Sequence, residues 1–331
     1  MLILYVNWLK KLLKKLKTIV SVWFMNRTEF EGLSIVVPVY QSTNTLSELV
    51  RRIESTLYGN FEIIFVDDGS RQETWDLLQK LSSVSVRCVR LSRNYGQHAA
   101  LLAGVRAARY ATIVTLDDDL QNPPEEIPTL VAGLVNGVDV VYGVSTQVKQ
   151  SLWRRYSSRM VKAVFAKTLG FESAISMSSF RVFRTRLREG FAGELGPNVS
   201  LDALLTWSTS RFLAIEVEHH PRREGKSNYT FGKLLRFMLD TATSYSIRPL
   251  RLATSIGFIT TLFGLLMLLW VIGIAIFVGD SVPGFPFLAA SIAVFSGVQL
   301  VVLGILGEYL GKIHFRAMNK PTFSVSETTQ D

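Results

Sequence analysis

The stretch TIVTLDDDLQNPPEE, residues 112–126, decides the fold. A short β-rich apolar run, Thr112–Leu116, ends in three consecutive carboxylates, Asp117, Asp118 and Asp119. Such a run is too brief for a stable helix and reads as a strand buried on both faces. An acidic cluster at its carboxyl end stands where open α/β sheets bind their ligands. The strand reading then has to be supported by its neighbours.

Outward from this stretch, Ser34–Val39, Glu62–Val66, Val84–Leu91 and Val138–Val141 have the same character. Amphipathic segments near 44–57, 72–82, 97–109 and 125–136 separate them. Strand and helix in alternation predict a doubly wound, mostly parallel α/β sheet. The first strand ends at Pro38-Val39-Tyr40 and the second at Asp67-Asp68-Gly69-Ser70. With the triplet, three polar clusters at three strand ends are expected to converge on one crevice. A dinucleotide-binding dehydrogenase would need a glycine fingerprint after the first strand, where Pro38-Val39-Tyr40-Gln41 stands instead.

Carboxylates one residue apart at a strand end can hold a hard cation together with phosphate oxygens. Mg²⁺ or Mn²⁺ so placed would neutralise charge on a departing nucleoside diphosphate. An acidic triplet alone could equally be a solvated turn or a helix cap; the second acidic pair at another strand end favours the functional reading. Pro123 and Pro124 open a helix whose first turn Glu125 and Glu126 stabilise. His98 is expected to pack or cap the helix beginning near Gly96, and His219 and His220 are given no role.

The chain has 331 residues, 48% hydrophobic and 19% charged, with a net charge of +9. Its lysines lie beside apolar segments, and no recognisable nucleic-acid module interleaves them with stacking aromatics, so the charge points to an anionic membrane face. In residues 1–26, Leu9, Leu12, Leu13, Leu16, Val20 and Trp23 share one helical face amid five lysines. That pattern predicts an interfacial amphipathic helix; the alternative is a solvated basic extension. Cys88, the one cysteine, reads as a buried core thiol. Leu252–Val278 and Phe287–Leu306 are almost wholly apolar, near the roughly 20 residues a spanning helix needs. Arg248 and Arg251 precede the first, and Lys312, His314, Arg316 and Lys320 follow the second. The positive-inside rule then puts both ends in the cytoplasm.

Leu91-Ser-Arg-Asn-Tyr-Gly-Gln-His98, Leu116-Asp-Asp-Asp-Leu-Gln-Asn-Pro-Pro-Glu-Glu126 and Leu306-Gly-Glu-Tyr-Leu-Gly311 together resemble glycosyltransferase family 2. The similarity runs from about Leu33 to Phe323 and is specific to the polyprenyl-phosphate subgroup, which includes the bactoprenol glucosyltransferases, dolichyl-phosphate mannose synthase-like enzymes and the undecaprenyl-phosphate aminoarabinose transferase. The resemblance implies a GT-A fold over 31–230, behind a basic extension at 1–30. The residue pattern adds an interfacial amphipathic helix at 231–250, a two-helix transmembrane hairpin at 251–310 and a cytoplasmic tail at 311–331.

Residue by residue, Pro38 and Tyr40 match the first nucleotide-binding loop, and Asp67 and Asp68 the pair that recognises base and ribose. Asp117 and Asp119 take the two motif positions, leaving Asp118 variable; Asp119 and Gln121 are the implied metal contacts, with Asp117 supporting ribose or metal. Arg154 and Ser158 match positions that hold the lipid phosphate, and Arg222 one that grips the donor diphosphate. Three departures stand out: Ser145 replaces a frequent Arg, for which Lys149 is the substitute; Ile175 replaces a frequent Asp; and Gly225-Lys226-Ser227-Asn228-Tyr229 moves the motif lysine across the serine. Lys226 is expected to serve the same phosphate.

The expected activity is transfer of one hexose, glucose first, from a UDP-sugar to undecaprenyl phosphate at the cytoplasmic face of the inner membrane. Mannose or an amino-pentose on the same lipid is the alternative, and a nucleotide-sugar-binding scaffold without catalysis is a third reading. Gln150, Trp153 and Arg154 resemble the processive-synthase signature with the last two residues reversed, which argues against processivity. The sequence is compatible with a monomer or a homo-oligomer, and a flippase could take the product, although no residue identifies one.

Overall fold

The computed structural model describes residues 32–145, 178–193, 196, 199–220, 243, 247–277, 284–318 and 320–329. The chain divides into two units, the first holding the described residues to 220 and those from 320, the second those between.

The first unit is built on strands β1 (Leu33–Val39), β2 (Phe61–Asp67), β3 (Val86–Leu91) and β4 (Thr112–Thr115). Every residue of β1 and β4 is buried, as their unbroken apolar character requires. Helices α1 (Leu46–Thr56), α2 (Gln72–Leu81) and α3 (Gln97–Ala107) link them, so β4, β1, β2 and β3 lie parallel. One core, including Ile35, Ile53, Phe65, Trp75 and Leu78, lies under α1 and α2. The other gathers α3 with Val36, Ile64 and Val66. All of Ala99–Val105 is buried, and Gly104 lets α3 approach the sheet: a Cβ there would stand 2.3 Å from Val36 Cγ1.

The predicted strands and helices are present with ends shifted by a few residues, except that the 125–136 segment is shorter. It forms a 3₁₀ turn, Pro124–Glu126, and helix α4, Ile127–Ala132. Two features depart from a simple doubly wound sheet. Strand β6 (Arg181–Arg184) inserts antiparallel between β4 and β5 (Val140–Ser145). Beyond β5, and after α5 (Leu201–Ser208), β7 (Phe212–Val217) forms one edge, parallel to β5. At the far edge β8 (Val325–Thr328) pairs antiparallel with β3. Part of the segment read from sequence as a tail is therefore a strand of the sheet. The order is β7-β5-β6-β4-β1-β2-β3-β8.

The second unit contains α6 (Arg248–Phe277) and α7 (Gly284–Ala317), which pack against each other. Gly264 faces Phe295, where a Cβ would come within 2.8 Å of the ring, the close approach that small residues permit between apolar helices. Arg248–Ile274 and Val294–Phe315 are long and apolar enough to cross a bilayer, and neither is buried. A soluble core helix would be buried and a signal sequence would lie near the N-terminus, so membrane association is the reading both spans support. The expected helix within 1–30 lies outside the described residues; of the expected interfacial helix at 231–250 only Thr243 and 247–250 are described, and 248–250 are the start of α6.

Candidate active site

Both ends of the parallel strands carry buried acids, and they differ in kind. At the amino ends Glu62 is consumed by structure: it accepts from Ser34 Oγ at 2.7 Å and the Arg109 amide at 2.8 Å, and pairs with Arg87 at 3.1 Å. At the carboxyl ends the acids instead organise three loops around a crevice.

Asp68 receives the backbone amides of Tyr95 and Gly96 at 2.7 and 2.9 Å, fixing the loop that enters α3. Burial raises its pKa against the lowering effect of those two amides. Asp67 is fully buried; one oxygen accepts from the Ser70 amide at 3.0 Å and the other lies 3.4 Å from Arg90 Nε. Gly69 takes φ +67°, and a Cβ there would fall 2.4 Å from the Arg93 carbonyl carbon, so the 67–70 loop sits directly on the 92–96 loop. Ser70 Oγ in turn accepts from the Gln41 amide at 2.9 Å, tying in the loop after β1. Pro38 is buried in β1 opposite Val66, whereas Tyr40 is half exposed at the strand end.

The acidic triplet closes the ring. Asp117 accepts from Gln97 Nε2 at 2.7 Å and from Ser179 Oγ, which begins the turn into β6. Asp118 turns toward the β1 loop, where Ser42 donates to it; burial pushes its pKa up to about 6 despite that bond. Asp119 accepts from the Gln121 amide at 3.1 Å, an Asx-type turn around Leu120, whose φ is +58°. The Gln121 carbonyl receives the His220 amide at 2.8 Å, and His219 Nδ1 lies 3.2 Å from Asn122 Oδ1.

Behind Asp117 stands a buried ionic layer that spacing did not reveal. Arg181, almost fully buried, donates to Thr115 Oγ1 at 3.1 Å and pairs with Asp202, which also receives Tyr142 OH at 2.9 Å. His98 is partly buried beside it and accepts from the Leu201 amide at 3.4 Å, so it meets the start of α5, where the sequence reading expects the helix beginning near Gly96; desolvation lowers its pKa. An open pocket of about 590 Å³ adjoins Leu120 and His220. Its arginines are balanced: Arg51 pairs with Glu48 and Arg52 with Glu125.

Of the expected site residues, Pro38, Tyr40, Asp67, Asp68, Asp117, Asp119 and Gln121 lie at or just beyond the carboxyl ends of β1, β2 and β4. Arg154, Ser158, Arg222 and Lys226, with Lys149 and Ile175, lie outside the described residues. Among the described residues no group of three or more His, Cys, Asp or Glu could hold a metal by itself. Two carboxylates and carbonyl oxygens suit a cation shared with substrate phosphates better than a closed protein cage. Gln97, Ser42 and Ser179 were not singled out from sequence as site residues. Only Gln97 stood inside a quoted motif, and none of these residue types by itself signals a role.

The sequence profile of glycosyl transferase family 2 matches residues 34–191. The undecaprenyl-phosphate 4-deoxy-4-formamido-L-arabinose transferase of Pseudomonas paraeruginosa is 36% identical over 306 residues, covering 90% of each chain. Its namesake from Pectobacterium carotovorum subsp. carotovorum is 33% identical over 308 residues, 91% of this chain and 94% of that protein. Among solved structures, glucosyl-3-phosphoglycerate synthase from Mycobacterium tuberculosis, in complex with Mn²⁺, UDP-glucose and phosphoglyceric acid, superposes with a TM-score of 0.50. At 17% identity over 65% of this chain and 78% of that one, this likeness shows the fold, GT-A.

Proposed function

The chain belongs to glycosyl transferase family 2, and on that premise we propose that it transfers an amino-pentose from a nucleotide sugar to undecaprenyl phosphate. The observation that carries the acceptor and the sugar is the 90% coverage by the Pseudomonas transferase, which spans both the GT-A unit and the apolar helices. Glucose, the first expectation from sequence, has no such support and becomes the comparison substrate.

Asp67 and Asp68 would receive the nucleoside, with Tyr40 at the rim. Asp117, Asp119 and Gln121 would hold a divalent cation, Mg²⁺ or Mn²⁺, which supplies charge neutralisation at the donor diphosphate. Arg154 and Ser158 would hold the lipid phosphate, and Arg222 and Lys226 the donor diphosphate. A phosphate monoester has its second pKa near 6, so its attacking oxygen is ionised at neutral pH without a protein base. Replacement of the frequent Asp by Ile175 is therefore compatible with activity. The phosphate oxygen attacks the anomeric carbon in line, the bond to the diphosphate breaks, and the nucleoside diphosphate leaves with the electron pair. The product carries the inverted anomeric configuration.

Arg248 and Arg251 in the first turn of α6, with Lys312 and His314 near the end of α7 and Lys320 beyond it, favour cytoplasmic termini and a cytoplasmic GT-A unit. The test is to incubate the full-length protein with undecaprenyl phosphate, Mg²⁺ or Mn²⁺, and radiolabelled UDP-linked 4-deoxy-4-formamido-L-arabinose or UDP-glucose. Label should enter the organic phase from the amino-pentose donor. Labelling from glucose alone would overturn the sugar, and a product of retained configuration would overturn the mechanism.

A further inference from the structure

Strand β8 follows the second apolar helix in the chain, yet it lies against β3, whose carboxyl end borders the crevice. Its register sets Glu327 directly opposite Arg90, with an irregularity between Arg90 and Leu91. Directly opposed charges on paired strands interact across the ladder, and such irregularities re-aim side chains.

The contacts continue inward. Glu327 accepts from Arg90 at 3.1 Å with one oxygen and from Trp75 Nε1 at 3.0 Å with the other. The Arg90 guanidinium lies over the Trp75 ring, 5.4 Å from its centre, and also donates to Gln72 at 3.1 Å. These contacts leave Arg90 Nε 3.4 Å from Asp67 Oδ2. That oxygen is buried and makes no hydrogen bond among the described residues. A buried carboxylate oxygen is costly without compensation, so the placement of Arg90 fixes where it sits. The same strand reaches the neighbouring loop: the Ser92 amide donates to the Ser324 carbonyl at 2.9 Å, where the segment that holds Asp68 begins.

We propose that Glu327 is a positioning residue of the donor site, acting through Arg90 on Asp67. The proposal rests on the reading of Asp67 as part of the nucleotide site. Glu327 is half exposed at the sheet edge and outside the crevice, so it acts through another residue.

The test uses the full-length protein in detergent. UDP, GDP and dTDP are titrated calorimetrically into the wild type, and the tightest serves as probe. Glu327→Gln should weaken its binding roughly threefold to tenfold, the range of couplings carried through one intermediary, at an unchanged thermal midpoint. Glu327→Asp should restore part of the affinity. Asp67→Asn should weaken binding more, and adding Glu327→Gln to it should cause little further loss. Full affinity in Glu327→Gln with weakened binding in Asp67→Asn would overturn the proposal, as would effects that simply multiply. If Glu327→Gln lowers the thermal midpoint, Arg90→Lys is the deciding variant: it keeps the charge, loses the fork, and should weaken binding comparably. Wild-type affinity in Asp67→Asn, or no binding of any of the three nucleotides, would instead reject the donor-site reading beneath it.

Discussion

Gln97 Nε2 donates to Asp117 Oδ1 at 2.7 Å, joining the first residue of α3 to the end of β4. Ser179 holds the other oxygen of the same carboxylate. Asp117 is thus oriented from both sides, while Asp118 turns to Ser42 and Asp119 folds over its own turn. Three adjacent aspartates have three different environments, and that difference can be tested.

Asp119→Ala should abolish sugar transfer, because it removes a proposed cation ligand together with the turn that presents Gln121. Asp118→Ala should keep most of the activity. Steady-state transfer assays on both variants decide this, and equal losses would show that the motif register is misassigned.

Gly69→Ala should destabilise the first unit and weaken nucleotide binding. The substitution forces a Cβ to within 2.4 Å of the Arg93 backbone at a φ of +67°. The left-handed conformation alone costs about 1 kcal/mol, and the clash, which no side chain can relieve, adds to it. Thermal unfolding compared with Gly137→Ala, at a glycine with nothing within 4 Å, separates the two contributions.

Asp139 governs acid sensitivity far from the crevice. Burial would raise its pKa, but Thr209, Arg211 and Arg186 outweigh that and hold it at about 2. A depressed carboxylate stabilises the fold above its unfolded pKa of about 3.9, and that stabilisation is lost as pH falls through about 2. Asp139→Asn should cost about 1–2 kcal/mol at neutral pH, since two of its arginine partners are well exposed and screened. The difference from wild type should shrink between about pH 4 and 2 in pH-dependent denaturation.

Cys88 should resist alkylation in the folded protein. It is fully buried in β3, donates to the Leu78 carbonyl at 3.3 Å, and burial pushes its pKa up to about 12. Maleimide labelling should proceed only after denaturation; rapid labelling of native protein would contradict this packing.

The parallel half of the sheet was legible because Ser34–Val39 and Thr112–Leu116 are apolar without alternation, which few other structures tolerate. Strand ends marked Asp67, Asp68 and Asp117 for the same reason: a buried run that stops at acids announces a crevice. Arg181 and Asp202 were hidden because their pairing depends on β6 running antiparallel, which no local pattern encodes. Strand β8 was hidden because four exposed residues carry no periodic signal; its place is set by Thr329, Ser324 and Glu327 meeting a distant edge. The lipid-phosphate residues Arg154 and Ser158 remain readings of a motif.

The pairing of β8 with β3 also has a consequence for biosynthesis. Cys88 receives its partner Thr329 from 241 positions downstream, so β3 leaves the ribosome as an uncovered edge. It stays uncovered until both apolar helices have been translated. The catalytic sheet is therefore begun first and finished last, and its completion is timed by the synthesis of the membrane segment.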